Sequence, residues 1–445
     1  MRLRGLGVVV LALFLTAASG SVAVAQYGAI LPGAGPINQS MGGAATAAPL
    51  SANGAMLWNP ASLAGLKQSQ LDVGATLLVP RTDLSSSYAP NVFGPGIPPV
   101  ALAGSTSSGQ DVFALPSISL SYHPEQSNFT YGLGILSAAG FGTNYSASNP
   151  GLTPANPVLG PQPPTGIGFG SIYSQYQVVQ IVPAAVWHVD DHWAVSIGPT
   201  LDIGRLQVDP GIIMSPNVNG QYPQATHSTA AWGAGYNVGL FYQTDDWNFG
   251  ASYKSQQFFQ PYQFDSTDAV GGPRSTTFTL NLPSITSVGA AYKGLDRWLL
   301  ATDVRYLDYQ STSGFGDSGF GPDGALLGVG FRNIFVVATG AQYQLTDAIA
   351  LRAGYSWNQN AVPDSQTGVN VASPVIVEHI LSTGATWQVN RSLLLSAAYT
   401  HGFQNSITGP VQLPFGSVPG TSLTSSTNFD MFLFGATVLF GGCGG

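Results

Sequence analysis

The sequence predicts an all-β membrane protein, a 14-stranded antiparallel transmembrane β-barrel plugged by an N-terminal hatch. Three observations predict it. Only 8% of the 445 residues are charged, against about 25% in an ordinary soluble domain, so a hydrated surface cannot be built from them. Beyond residue 25 no apolar run nears the roughly 20 residues of a membrane helix. From Gln68 onward, segments of about 10 to 15 residues alternate in polarity and are divided by turn residues, which is barrel patterning. A net charge of -8 argues against a nucleic-acid partner.

Residues 1–25 read as a secretory signal peptide. Arg2 and Arg4 precede an apolar run from Leu6 to Ala18, and Ala23-Val24-Ala25 forms the cleavage site. No cysteine follows the run, which argues against a lipoprotein anchor. Cys443 is the only cysteine, so no internal disulfide staples the fold. Residues 26–67 form the expected hatch. They match neither a helix nor a strand by pattern, and glycine, alanine and short polar residues dominate them. Small side chains allow close packing inside something larger. A disordered linker would rarely carry Trp58, two Met and several Leu.

Residues 68–445 form the barrel. Its strands are expected at Gln68 to Pro80, Phe113 to Tyr122, Asn128 to Gly142, Tyr173 to His188, His192 to Leu206 and Thr229 to Gln243. They continue at Trp247 to Phe259, Thr276 to Tyr292, Arg297 to Tyr309, Arg332 to Leu345, Ala348 to Asn358, Glu378 to Val389, Ser392 to Phe403 and Thr427 to Phe440. Connections alternate between short turns near Glu125, Asp190, Asp245, Asp296, Asp347 and Asn390 and long Gly/Pro-rich loops. Periplasmic turns are short and outer loops long in bacterial barrels, so both termini fall on the periplasmic side.

Aromatic residues bracket the short turns: Tyr122 and Phe129, Trp187 and Trp193, Tyr242 and Trp247, Tyr292 and Trp298, Tyr343 and Trp387. At a bilayer interface such rings place their apolar bodies in lipid and their polar edges at the headgroups. Period-two patterning puts Trp298, Leu300, Val304 and Tyr306 in lipid and Asp303 and Arg305 in the lumen. It likewise opposes Leu351, Ala353, Tyr355 and Trp357 to Arg352, Gly354 and Ser356. Both faces of the tenth strand are apolar, so the interior meets a plug or an apolar cargo more than bulk water.

On these features the chain resembles the FadL/TodX family of outer-membrane transporters for long-chain fatty acids and other hydrophobic compounds. The resemblance spans essentially the mature chain. It rests on GAG at Gly33 to Gly35, MGGAATA at Met41 to Ala47, NPASLAGL at Asn59 to Leu66, LPSITSVGAAYKG from Leu282 and ALRAGYSWNQNAVPD from Ala350. It implies a hatch that gates the lumen, with Gly42, Gly43, Asn59, Pro60 and Ala61 in its motifs. It implies an outer hydrophobic capture site, an interior pocket and lateral release at a kinked third strand. The family's Pro-Phe-Gly segment there stands here as Gly140-Phe141-Gly142, and Gly132, Gly134 and Gly140 are the residues expected to let that strand bend.

Several side chains are candidates with two uses. Lys254, Arg305 and Arg352 face the lumen by parity and would pair a carboxylate cargo or hold the hatch or Asp303. Phe258, Phe259 and Tyr262 would line the capture groove or pack at the interface. His188 and His192 flank Asp190 and Asp191, but in a tight turn they read as polar rim rather than metal ligands. No G-x-S-x-G elbow and no phosphate-loop ending is present, so neither an enzyme nor a cofactor is expected. The expected function is passive uptake of a hydrophobic small molecule by a monomer set in outer-membrane lipid and lipopolysaccharide. A general porin for polar solutes is the alternative, and it would need a charged constriction.

Overall fold

A computed structural model describes residues 27–109, 112–148, 156–224, 229–267 and 272–441. The expected signal peptide, residues 1–25, and Cys443 lie outside them. Fourteen long strands close into a ring: β1 Ser69–Tyr88, β2 Phe113–Tyr122, β3 Phe129–Tyr145, β4 Ile172–His188, β5 Trp193–Asp209, β6 Ala231–Gln243 and β7 Trp247–Lys254. The second half is β8 Ser284–Tyr292, β9 Trp298–Asp308, β10 Ile334–Thr346, β11 Ile349–Asn358, β12 His379–Asn390, β13 Leu393–Gly409 and β14 Thr421–Phe440. Each pairs antiparallel with its neighbours. β1 closes the ring by pairing β2 from Gln70↔Ser121 to Leu78↔Phe113 and β14 from Ser69↔Phe440 to Tyr88↔Thr421.

Alternation sorts the side chains as expected. Leu300, Val304, Leu351, Phe432 and Phe434 are exposed on the outer wall, while Asp303, Arg305, Ile334 and Val336 are fully buried inside. The aromatic girdle sits at the short-turn end, where rings on neighbouring strands pack in pairs. Trp193 lies 4.5 Å from Tyr242, Trp247 lies 4.6 Å from Tyr292, and Trp298 lies 4.7 Å from Tyr343 between ring centroids.

Strand ends at the outer side depart from the sequence reading. β1, β13 and β14 run past their expected limits because serine and threonine pairs, such as Ser406 with Ser426 at 2.7 Å and Thr408 with Thr424 at 2.8 Å, extend the ladder without apolar alternation. Pro80 does not end β1. It falls between the last β2 pair at Leu78 and the point where Leu102–Ser107 takes over that edge at Asp83, so no ladder donor is missed there. β7 and β8 are shorter than expected. Phe258–Phe259 is a separate two-residue strand against β6, and Pro273–Phe278 belongs to a loop hairpin with Tyr262–Thr267.

Residues 27–66 lie within the ring and are almost entirely buried. Contrary to the sequence pattern they include two short helices, α1 Gly35–Ser40 and α2 Ala52–Trp58, and a 3-10 turn at Pro60–Gly65. A local cap and a tertiary partner support α2: the Ser51 side chain accepts from Gly54 N, and the wall carboxylate Asp72 accepts from Ala52 N at 2.6 Å and Asn53 N at 3.3 Å. α1 packs on β11 to β14 and β1, α2 on β1 to β3, and the 3-10 turn on β3 to β6.

Candidate functional site

The wall grips the N-terminal segment through buried polar groups. Asp303 on β9 accepts from Ala45 N at 2.8 Å and Thr46 N at 2.9 Å, and it pairs with Arg305 Nη2 at 2.6 Å. The same Nη2 donates to the Gly43 carbonyl at 2.8 Å, and the guanidinium lies 3.8 Å above the Trp58 ring, a cation held between a carboxylate and a π face. Both charged side chains are 0% exposed. On β7, Lys254 Nζ donates to the Leu57 carbonyl at 3.0 Å and to Gln180 Oε1 at 2.9 Å, while Ser252 Oγ donates to the Trp58 carbonyl at 2.6 Å. Asn59 joins segment and wall, donating from Nδ2 to the Thr46 carbonyl at 2.8 Å and the Leu240 carbonyl at 3.0 Å, and accepting from Ala61 N. Pro60 opens the 3-10 turn that follows.

Close backbone approach explains several wall glycines. A Cβ at Gly354 would sit 2.0 Å from Gly42 N, and one at Gly340 would sit 2.5 Å from the Met41 carbonyl oxygen. Gly42 and Gly43 themselves hold φ of 65° and 86°, which suits glycine. Gly132 and Gly134 belong to this contact surface. A Cβ on Gly132 would meet Met56 Sδ at 2.5 Å, and both glycines stay in regular register with β2 and β4. They do not form the bend.

The bend is a β-bulge further along the strand, between Ser137 and Ala139. β3 pairs β2 only from Tyr122↔Tyr131 to Ser117↔Leu136. Above that point, among the described residues, the β2 side of β3 is open until Gly109 N donates to the Asn144 carbonyl at 2.8 Å. Pro116 faces the break; its carbonyl accepts from Ser137 Oγ at 3.1 Å, and it has no N–H to continue the ladder. Within this window β3 loses alternation, and residues 138–143 are all buried, Gly140, Phe141 and Gly142 included. A strap, Tyr27 to Leu31, bonds to it instead: Leu31 N donates to the Ala138 carbonyl at 3.0 Å and Gly140 N to the Ala29 carbonyl at 2.9 Å. Tyr309 fastens the strap from the far wall, donating its hydroxyl to the Tyr27 carbonyl at 2.5 Å and accepting from Ala29 N at 2.8 Å.

Above the strap the lining is apolar. Phe141, Leu206, Ile213, Phe278, Leu280 and Phe315 surround a narrow space of about 40 Å³. Further out, Phe93, Ile97, Ile167, Phe169, Tyr222, Leu413 and Phe415 form a groove of about 410 Å³ between outer loops. Burial raises the Tyr222 phenol above its ordinary value, and its hydroxyl donates to the Gly324 carbonyl. Sequence reasoning misses the groove residues because they come from separate loops without periodicity. Phe259 is buried against Tyr262, with rings 5.8 Å apart, whereas Phe258 is exposed and neither lines the groove. Arg352 faces inward but at the short-turn end, below the N-terminal segment. His188 Nε2 lies 2.8 Å from Thr130 Oγ1 and His192 Nδ1 2.8 Å from the Gln243 carbonyl, both at the rim. The backbone N–H of Trp193, then that of His192, hold the Asp190 carboxyl below the usual range.

A family described as "Outer membrane protein transport protein (OMPP1/FadL/TodX)" matches residues 14–440. The long-chain fatty acid transport protein of Escherichia coli (strain K12) is 24% identical over 305 residues, covering 60% of this chain and 62% of that protein. The 47 kDa outer membrane protein of Pasteurella multocida (strain Pm70) is 26% identical over 190 residues, 38% of this chain and 43% of that protein. The chain thus matches less than two thirds of the length of these curated relatives. Among solved structures, the toluene transporters TodX of P. putida and TbuX of Ralstonia pickettii superpose with TM-scores of 0.66 each, at 17% and 19% identity, over 92% of this chain and 99% of theirs. At such identities the likeness is one of fold.

Proposed function

This chain belongs to the outer membrane protein transport protein family (OMPP1/FadL/TodX), and on that premise we propose that it admits hydrophobic small molecules passively, gated by the hatch, and releases them sideways at β3. Cargo enters the outer groove, where aromatic and aliphatic side chains offer an apolar surface beyond the hydrated face of the membrane. It passes the narrow apolar space around Phe141 and Phe315 and leaves through the window between β2 and β3 into lipid, without crossing water. The cargo class follows the relatives' printed names, long-chain fatty acids in one case and toluene in others.

The observation that carries this reading is the interrupted β2–β3 ladder with the strap bonded across it. Unpaired backbone facing hydrocarbon is strongly unfavourable, so a strand edge left open needs a partner. Tyr27 to Leu31 is that partner, and its withdrawal opens the path. Asn59, Pro60, Ala61, Gly42 and Gly43 keep the rest of the hatch in place while the strap moves. A polar porin fits less well, because buried side chains fill the bore at hatch height.

Deleting Ala138 removes the bulge and makes the register between β3 and β4 continuous. We expect uptake of radiolabelled toluene or oleate by cells producing this variant to fall about tenfold or more, while heat-modifiable migration shows a folded barrel. Undiminished uptake through a folded variant overturns lateral release.

A further inference from the structure

Below the hatch, at the short-turn end, the barrel wall lines a third, open-sided cavity of about 720 Å³ that the uptake route does not use. We propose that it is an oxyanion-binding site centred on Arg352, taking a phosphate or carboxylate group from the periplasmic side. This proposal is independent of the uptake reading.

Four cations line the cavity, Lys67, Lys293, Arg352 and Arg391, and Asp347 is the single carboxylate among its lining residues. Among the described residues none of the four makes an ion pair within 4.0 Å. Arg352 is the buried member, at 7% exposure. Its orientation is fixed by two neutral bonds, Nε to Gln342 Oε1 and Nη1 to Thr386 Oγ1, both 2.7 Å. Nη2 is left without a protein partner among the described residues. A buried guanidinium with no counter-charge is unfavourable, whereas the same group already oriented is suited to grip an oxyanion. Asp303 and Arg305 on the barrel wall show the opposite arrangement, a buried cation that carries its own carboxylate. Leu50, Leu66, Leu299, Leu394 and Leu439 also line the cavity, so the chemistry accommodates either a free ion or the headgroup of an amphiphile.

Calorimetric titration of the full-length protein in detergent, at low salt, separates these sources. Inorganic phosphate and hexyl phosphate share a headgroup and differ in the tail. Both are expected to bind saturably at one site. Equal affinities identify a free ion as the occupant; tighter binding of hexyl phosphate identifies a headgroup seated beside the leucines. Arg352→Gln should weaken both about thirtyfold or more, the scale for removing one partner of a buried charged bond. Should that variant fail to fold, the double variant Lys293→Gln/Arg391→Gln, confined to the turns, should still weaken binding several-fold. Absence of saturable binding, or affinities unchanged in a folded Arg352→Gln or in the double variant, overturns the site.

Discussion

Two parts of the N-terminal segment are held in different ways. The body, from Pro36 to Leu66, is bound through charged side chains: the buried Asp303 and Asp72 accept from its backbone, and the buried Arg305 and half-buried Lys254 donate to it. The strap, from Tyr27 to Leu31, is bound among the described residues by neutral hydrogen bonds, to β3, to Tyr309 and, from the Tyr27 hydroxyl at 3.4 Å, to the Gly42 carbonyl of the body, and by apolar packing. Breaking one partner out of a buried charged network is strongly destabilising, whereas a neutral hydrogen bond contributes about 1 kcal/mol net where another partner takes its place. In the gating proposed above, the strap is therefore the part that moves and the body is its fixed support.

The largest expected effect comes from attacking the body. Asp303→Ala removes the acceptor of Ala45 and Thr46 and strands Arg305 in the interior, for a loss of about 3–5 kcal/mol. The thermal midpoint should fall, and single-channel recordings should show current through a loosened bore. If neither changes, charge anchoring is not what fixes the body. The next effect is local. Tyr309→Phe removes two bonds from the strap, one to the Tyr27 carbonyl and one from Ala29 N, a loss of about 1–3 kcal/mol. Amide hydrogen exchange at Ala29 should quicken about tenfold or more while the global midpoint stays nearly constant. A midpoint that drops as far as in Asp303→Ala would erase the distinction between strap and body.

How far the sequence exposes this comparison depends on periodicity. Wall residues obey a period of two, so parity alone places Asp303 and Arg305 in the lumen against Leu300 and Val304, and strand number follows from counting. The N-terminal segment has no period of its own. α2 carries a local N-cap, Ser51, but its second acceptor, Asp72, comes from the wall, and the faces that α1 and α2 pack against come from distant strands, information that lies outside the local sequence. Glycine content points to Gly132 and Gly134 for the bend in β3, yet both are there to admit Met56. The bulge falls on Ala138, which no residue type marks. A usable signal is present in glycines at lumen parity, Gly340 and Gly354 on adjacent strands, which mark where another backbone comes close. The outer groove is illegible because Phe93, Phe169, Tyr222 and Phe415 come from four different loops.

The smallest expected effect lies furthest from both parts of the segment. Phe415 is 80% exposed at the rim of the outer groove, so its replacement by serine removes almost no folded-state packing, and stability should stay within about 0.5 kcal/mol. Its ring offers apolar area that a bound cargo would cover in part. Covering part of a phenyl side chain is worth about 1 kcal/mol, which is roughly fivefold in affinity. Uptake should therefore fall several-fold at dilute cargo and recover as the cargo is raised, because a capture site limits entry only when encounters are scarce. A deficit that persists at saturating cargo would move Phe415 from capture to translocation, and would mean that the groove and the strap act as one gate.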